Sequence, residues 1–60
     1  MKEAEAKYYL NKTCRITMRN TFRYNGNVVL TTEDTLIIND KFNNKVSLNL
    51  NEIISCEVLS

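Results

Sequence analysis

From Thr13 onward the chain alternates apolar and polar side chains with a period of two. Cys14, Ile16 and Met18 fall between Thr13, Arg15, Thr17 and Arg19, the pattern of a strand that buries one face. A second strand follows with Phe22, Tyr24, Val28 and Leu30 facing inward. A three-residue turn at Arg19, Asn20 and Thr21 sets Met18 opposite Phe22 and Ile16 opposite Tyr24, which puts Arg15 and Arg23 on one outer face. Thr32, Glu33 and Asp34 make a polar turn before a third strand, Thr35 to Asn39, centred on Leu36, Ile37 and Ile38. Asp40 to Asn44 is a turn in which Asn43 and Asn44 tolerate positive φ. Strand four alternates Val46, Leu48 and Leu50 with Ser47, Asn49 and Asn51. After a tight step at Asn51 and Glu52, strand five runs from Ile53 to Leu59 with Ile54, Cys56 and Val58 inward.

Ahead of the strands, residues 2–10 lack β-branched side chains, and Glu3 precedes Lys7 by four, the favourable order for a helical ion pair. So short a helix does not persist alone, and Tyr8, Tyr9 and Leu10 are its means of packing on the sheet. Gly26, the only glycine, interrupts strand two where a side chain would point inward. It marks a sharp bend, the device by which a small sheet curls on itself. Short hairpins leave no room for crossover helices, so the strands form an antiparallel meander that buries its core by closing up. The expected fold is mainly β: one domain over residues 1–60, with a helix at about 2–10 and a five-stranded, strongly bent antiparallel β-barrel at about 13–59.

Size changes this picture. A chain of sixty residues buries only about 60% of its unfolded surface and needs a supplement to its core. Consecutive apolar residues at Val28-Val29-Leu30, Leu36-Ile37-Ile38 and Ile53-Ile54 imply burial on both faces. The expected supplement is a subunit interface; the competing reading is a few scattered exposed aliphatics. The chain has no histidine and two cysteines, Cys14 and Cys56, so no metal site or other cofactor is expected. The N-terminus carries acidic residues where a signal peptide has its apolar core, and no run reaches membrane-spanning length. The expectation is a cytoplasmic protein with buried thiols rather than a bridge.

Charge is uneven along the chain although the formal net charge is only +1. Lys2, Lys7, Lys12, Arg15, Arg19 and Arg23 outnumber Glu3 and Glu5 in the first half, whereas Glu33, Asp34, Asp40, Glu52 and Glu57 outnumber Lys41 and Lys45 in the second. Catalysis is not expected: without histidine the commonest general base is missing, and the carboxylates sit in turns or at strand ends. For nucleic acid the arginines offer phosphate contacts, Tyr8, Tyr9, Tyr24 or Phe42 offer stacking, and the frequent asparagines offer amides that read base edges. The competing reading places Phe22 and Tyr24 in the core and the asparagines in turns and on exposed strand faces.

The stretch Cys-Arg-Ile-Thr-Met-Arg-Asn-Thr-Phe-Arg-Tyr-Asn-Gly-Asn-Val-Val-Leu, followed by three strands ending Asn-Glu-Ile-Ile-Ser-Cys-Glu-Val, resembles the Sm-like family, including the bacterial Sm-like host factor, over roughly residues 7–59. The resemblance implies a ring or smaller homo-oligomer in which strand four of one subunit pairs with strand five of the next, with Val46, Leu48, Leu50, Ile53 and Ile54 at the interface. It also implies RNA or nucleotide binding at the turns after strands two and four. Here those turns read Thr32-Glu33-Asp34-Thr35 and Leu50-Asn51-Glu52, departing from the family's uridine-reading residues, and their carboxylates oppose phosphate. The expected site is therefore Arg15, Arg19 and Arg23 together with Thr32, Asp34, Asn49 and Asn51. Two alternatives stay open: a small, virus-encoded kind of oligomer that sequesters a short or cyclic nucleotide, and an SH3-like module that docks a protein partner.

Overall fold

A computed structural model describes residues 1–59. Helix α1 (Glu3–Lys7) precedes strands β1 (Thr13–Met18), β2 (Arg23–Thr31), β3 (Thr35–Asn39), β4 (Lys45–Asn49) and β5 (Ile53–Val58), with one 3-10 turn, Leu50–Glu52, between the last two. All five strands pair antiparallel in one sheet, in the order β4-β3-β2-β1-β5.

The two edge strands are neighbours in sequence, so the sheet must curl until its first and last strands meet at the 3-10 turn. Leu50 N–H donates to the Asp34 carbonyl (2.9 Å) and Arg19 N–H to the Glu52 carbonyl (2.8 Å), tying the turn to β3 on one side and β1 on the other. Among the described residues no ladder joins β4 to β5, so the curled sheet keeps two open edges. The curl is centred on β2, whose first half pairs with β1 and whose second half pairs with β3. At Gly26 a Cβ would lie 2.8 Å from the Asn39 carbonyl oxygen. The bend thus rests on close approach of two backbones; Gly26 has no positive φ.

The inner face holds Cys14, Ile16, Met18, Val28, Leu36, Ile38, Leu48, Leu50 and Ile53, all buried. Full burial of an aliphatic side chain contributes roughly 1.5–3 kcal/mol. Ala6 closes this core from the helix, with Met1, Tyr9 and Leu10 partly buried beside it. The helix is shorter than the sequence pattern suggests, and Tyr8 turns to solvent. Beyond Lys7 the chain makes a looser turn, ending at Asn11, whose φ is 64°. Asn11 N–H to Val28 O (2.7 Å) then anchors it to β2.

Ile16 lies opposite Tyr24, and Met18 N–H donates to the Phe22 carbonyl at 2.8 Å, as the turn length predicts. Four side chains differ from the sequence pattern, among them Val58, which pairs with Cys14 at the end of β5 but is 39% exposed. Leu30 is 51% exposed because Val29 is an extra residue: Val28 pairs with Ile38 but Leu30 with Ile37, which reverses the inward parity of the strand. Ile54 is likewise the extra residue of a bulge, since Thr17 pairs with Ser55 and Met18 with Ile53. Ile53 therefore takes the core position and Ile54 is 63% exposed. Phe22, beyond the end of β2 in the hairpin turn, is 60% exposed.

Candidate nucleic-acid interface

The outer face of the sheet is built by register. Thr13 pairs with Asn27, Asn27 with Asn39, and Asn39 with Lys45, so one row of polar side chains crosses four strands. The neighbouring positions carry Arg15 opposite Asn25 and Thr17 opposite Arg23. Partners in a ladder share a face, so this surface gathers three cations, Arg15, Arg23 and Lys45, with the amides of Asn25, Asn27 and Asn39. The expectation that Arg15 and Arg23 share an outer face holds. Asn39 donates from Nδ2 to Asn43 Oδ1 at 3.1 Å, while its buried Oδ1 has no partner among the described residues.

Beside this face lies an open slot of about 590 Å³, within the rough 300–1,000 Å³ range of small-ligand sites. The first half of β2, from Arg23 to Asn27, forms one wall, and Ile38 to Phe42 with Val46 forms the other. Phe42 is 72% exposed, with the Lys41 ammonium 5.2 Å from its ring centre. The turn that holds both is rigid for a local reason. Asp40 Oδ1 accepts from the N–H groups of Phe42 and Asn44, both at 2.9 Å, and Asn43 takes the left-handed conformation at φ 64°.

The other expected site residues lie elsewhere. Thr32, Asp34, Asn49, Asn51 and Arg19 are brought together at the 3-10 turn, where Leu50 joins Asp34. Thr32, Asp34, Asn49 and Arg19 each have a side-chain polar atom engaged within the chain, and Asn51 takes part through its main chain. Asp34 Oδ1 accepts from the hydroxyls of Thr32 (3.1 Å) and Thr35 (2.9 Å), and Asn49 Oδ1 accepts from Asn51 N–H (2.8 Å). Arg19 Nε donates to the Asn51 carbonyl at 3.0 Å and stands 4.0 Å from a Glu52 carboxylate oxygen. Arg15 forms an exposed ion pair with Glu57 at 3.4 Å, of a kind worth roughly 0.2–1 kcal/mol. Of the three arginines only Arg23 has no ion pair among the described residues, and only it lines the slot.

The interface residues expected at strands four and five divide similarly. Leu48, Leu50 and Ile53 are buried in the chain's own core, Val46 is half-buried, and Ile54 is exposed. Cys14 and Cys56 are free thiols on neighbouring strands, and the Cys14 thiol donates to the Lys12 carbonyl at 3.6 Å. Burial, with Cys14 beside it, pushes the Cys56 thiol up to about 12, and burial also raises Cys14. Both therefore stay protonated near neutrality and are poor nucleophiles.

Sequence reasoning did not include Lys41, Asn25, Asn27, Asn39 and Lys45 in the site. Their signal was the register itself: a strand whose outward positions read Arg-Asn-Asn at every second residue. Among the described residues no group of three or more acidic, cysteine or histidine side chains is placed to hold a metal ion, and no helix is long and apolar enough to cross a membrane. Comparison with family models, with curated proteins and with solved structures finds no match to this chain.

Proposed function

We propose that the chain is a non-catalytic, Sm-like oligomeric protein that binds single-stranded RNA or nucleotides on the outer face of its sheet. The observation that carries this reading is the cross-strand row Thr13–Asn27–Asn39–Lys45 flanked by Arg15 and Arg23. Guanidinium and ammonium groups meet phosphates, amides read unpaired base edges, and Phe42 at the rim offers a stacking surface. The open edges of β4 and β5 are the means of assembly, since an added strand satisfies their main-chain groups. The two unpaired thiols fit a reducing, cytoplasmic setting.

Titration with oligo-U, oligo-A and a cyclic dinucleotide at two salt concentrations tests the reading, with sedimentation reporting whether the species is a multiple of 7.0 kDa. Arg23→Ala is expected to flatten the salt dependence, by roughly 0.7 for every phosphate no longer neutralised, and Arg15→Ala by less, because that guanidinium already faces Glu57 at 3.4 Å. Arg19→Ala leaves it unchanged, because that guanidinium is held by Asn51 and Glu52. Tight binding of the cyclic dinucleotide alone favours the sequestering oligomer. Absence of binding by every nucleotide at both salts overturns the reading.

A further inference from the structure

We propose that the slot beside the first half of β2 accepts an extended peptide segment bearing carboxylates as an added strand. This goes beyond nucleotide binding on the sheet face and does not rest on it. The parity of the β1–β2 ladder decides which main-chain groups are free. In an antiparallel pair the N–H and C=O groups of alternate residues point to the partner strand and to the opposite side. Met18 N–H bonds Phe22 O at one end of this ladder and Val28 N–H bonds Lys12 O at the other. The even-numbered residues of β2 therefore direct their main-chain groups to β1. Arg23 and Asn25 direct theirs away from it.

On that side β3 pairs with β2 only from Asn27 onward. The main-chain groups of Arg23 and Asn25 have no partner there among the described residues, and both residues are exposed. What faces them is the slot. Four residues, Arg23 to Gly26, offer about 14 Å of strand edge at roughly 3.4 Å per residue. The Asn39 carbonyl, against Gly26, closes the far end and limits the register of an incoming strand.

The slot's walls set the chemistry of the occupant. One side of an added strand meets the Arg23 guanidinium and the Lys41 ammonium, while the other meets Tyr24, Ile38 and Val46. Asp40, the one carboxylate at the slot, is engaged by two backbone N–H groups. A segment that alternates carboxylate and aliphatic side chains matches both walls, with the main-chain bonds providing affinity and the alternate side chains providing specificity.

The test uses amide hydrogen exchange and chemical-shift mapping on the whole chain, with a blocked hexapeptide of alternating aspartate and valine as probe. In the free protein the amides of Arg23 and Asn25 exchange rapidly, and those of Tyr24 and Gly26 are protected by the β1 ladder. The peptide slows exchange at Arg23 and Asn25. In an antiparallel added strand the aspartates share a face with Arg23 and Asn25 and stand opposite them. The same peptide N-methylated at each aspartate therefore loses the main-chain donors that face β2 and binds about tenfold more weakly or worse, and a lysine–valine peptide does not bind. Protection of Arg23 and Asn25 before any peptide is added overturns the proposal, as does equal binding of the N-methylated peptide or no binding of the aspartate–valine one. If oligo-U protects the two amides and the peptide does not, the slot belongs to the nucleic-acid face instead. Should the peptide titration fail, the salt-dependent oligonucleotide titration still tests that face independently.

Discussion

Where the Thr32–Asp34 turn meets Asn49–Glu52, the side chains of Thr32, Asp34, Asn49 and Arg19 bond within the chain, largely to its main chain; along the first half of β2, polar side chains and main-chain groups are left open among the described residues. Both regions are rich in the residues that recognise nucleic acid. At the 3-10 turn, Asp34 holds two hydroxyls, Asn49 caps Asn51, and Arg19 reaches the Asn51 carbonyl and Glu52. That cluster turns the chain from β4 to β5 and joins the ends of the curled sheet. Beside β2, Arg23 and Asn25 keep their main-chain groups unpaired on one side among the described residues, and Phe42 and Lys41 stand in a turn stabilised by Asp40. A polar residue type thus says what a site could do. Only the hydrogen-bond partners say whether it is free to do so.

Removing the bend that separates the two regions should have the most severe consequence. Gly26→Val places a side chain against the Asn39 backbone, whose carbonyl oxygen would stand 2.8 Å from the new Cβ. A backbone cannot yield as a flexible side chain does, so the cost is expected to be about 3 kcal/mol or more, enough to unfold a domain of this size. Urea denaturation checks it. Stability within about 0.5 kcal/mol of the parent would mean that β3 does not press on β2 at Gly26, and the slot would lose its closed end.

Two substitutions, one in each region, should separate their roles. Asp34→Ala removes the acceptor for Thr32 and Thr35, and is expected to cost about 1 kcal/mol of stability while leaving oligonucleotide affinity within about twofold. Arg23→Ala removes an exposed side chain with no ion pair among the described residues, and is expected to leave stability within about 0.5 kcal/mol. Its effect is on binding, with affinity falling severalfold at low salt and less at high salt. Melting curves and titrations on both variants distinguish the roles. If Asp34→Ala abolishes binding and Arg23→Ala does not, the 3-10 turn is the site.

The sequence pattern was sufficient for β1 and β4, whose alternation survives in the burial of Cys14, Ile16, Met18 and Leu48. It was sufficient too for the three-residue hairpin that places Arg15 and Arg23 on one face. It misled where apolar residues run together. Val28-Val29-Leu30 and Ile53-Ile54 read as strands buried on both faces, but each holds a bulge that uses one residue out of step, leaving Leu30 and Ile54 exposed. A bulge depends on how two distant strands align, which local periodicity does not record. The site was harder for the same reason. The unpaired edge of β2 exists only because β3 stops at Asn39, opposite Asn27, and neither strand alone carries that information.

The mildest of these changes acts on backbone strain near the 3-10 turn. Thr21 ends the β1–β2 hairpin with φ at 72°, a left-handed conformation that a β-branched side chain resists and glycine adopts without steric cost. The arrangement around it fits a type I turn followed by one left-handed residue: Thr21 N–H donates to Met18 O at 2.9 Å, and Phe22 N–H to Asn20 Oδ1 at 3.1 Å. Glycine also raises the entropy of the unfolded chain, which offsets part of the relief. Thr21→Gly is therefore expected to raise stability by about 0.5–1 kcal/mol, a rise in Tm of a few degrees for a chain this short. Binding is where the two regions part. If the region around Arg19, Asn51 and Glu52 only holds the sheet together, relieving strain there leaves oligonucleotide affinity unchanged. A stabilised variant that loses affinity would show that the strained hairpin presents a ligand-contacting group, and would move the functional face back toward the turns.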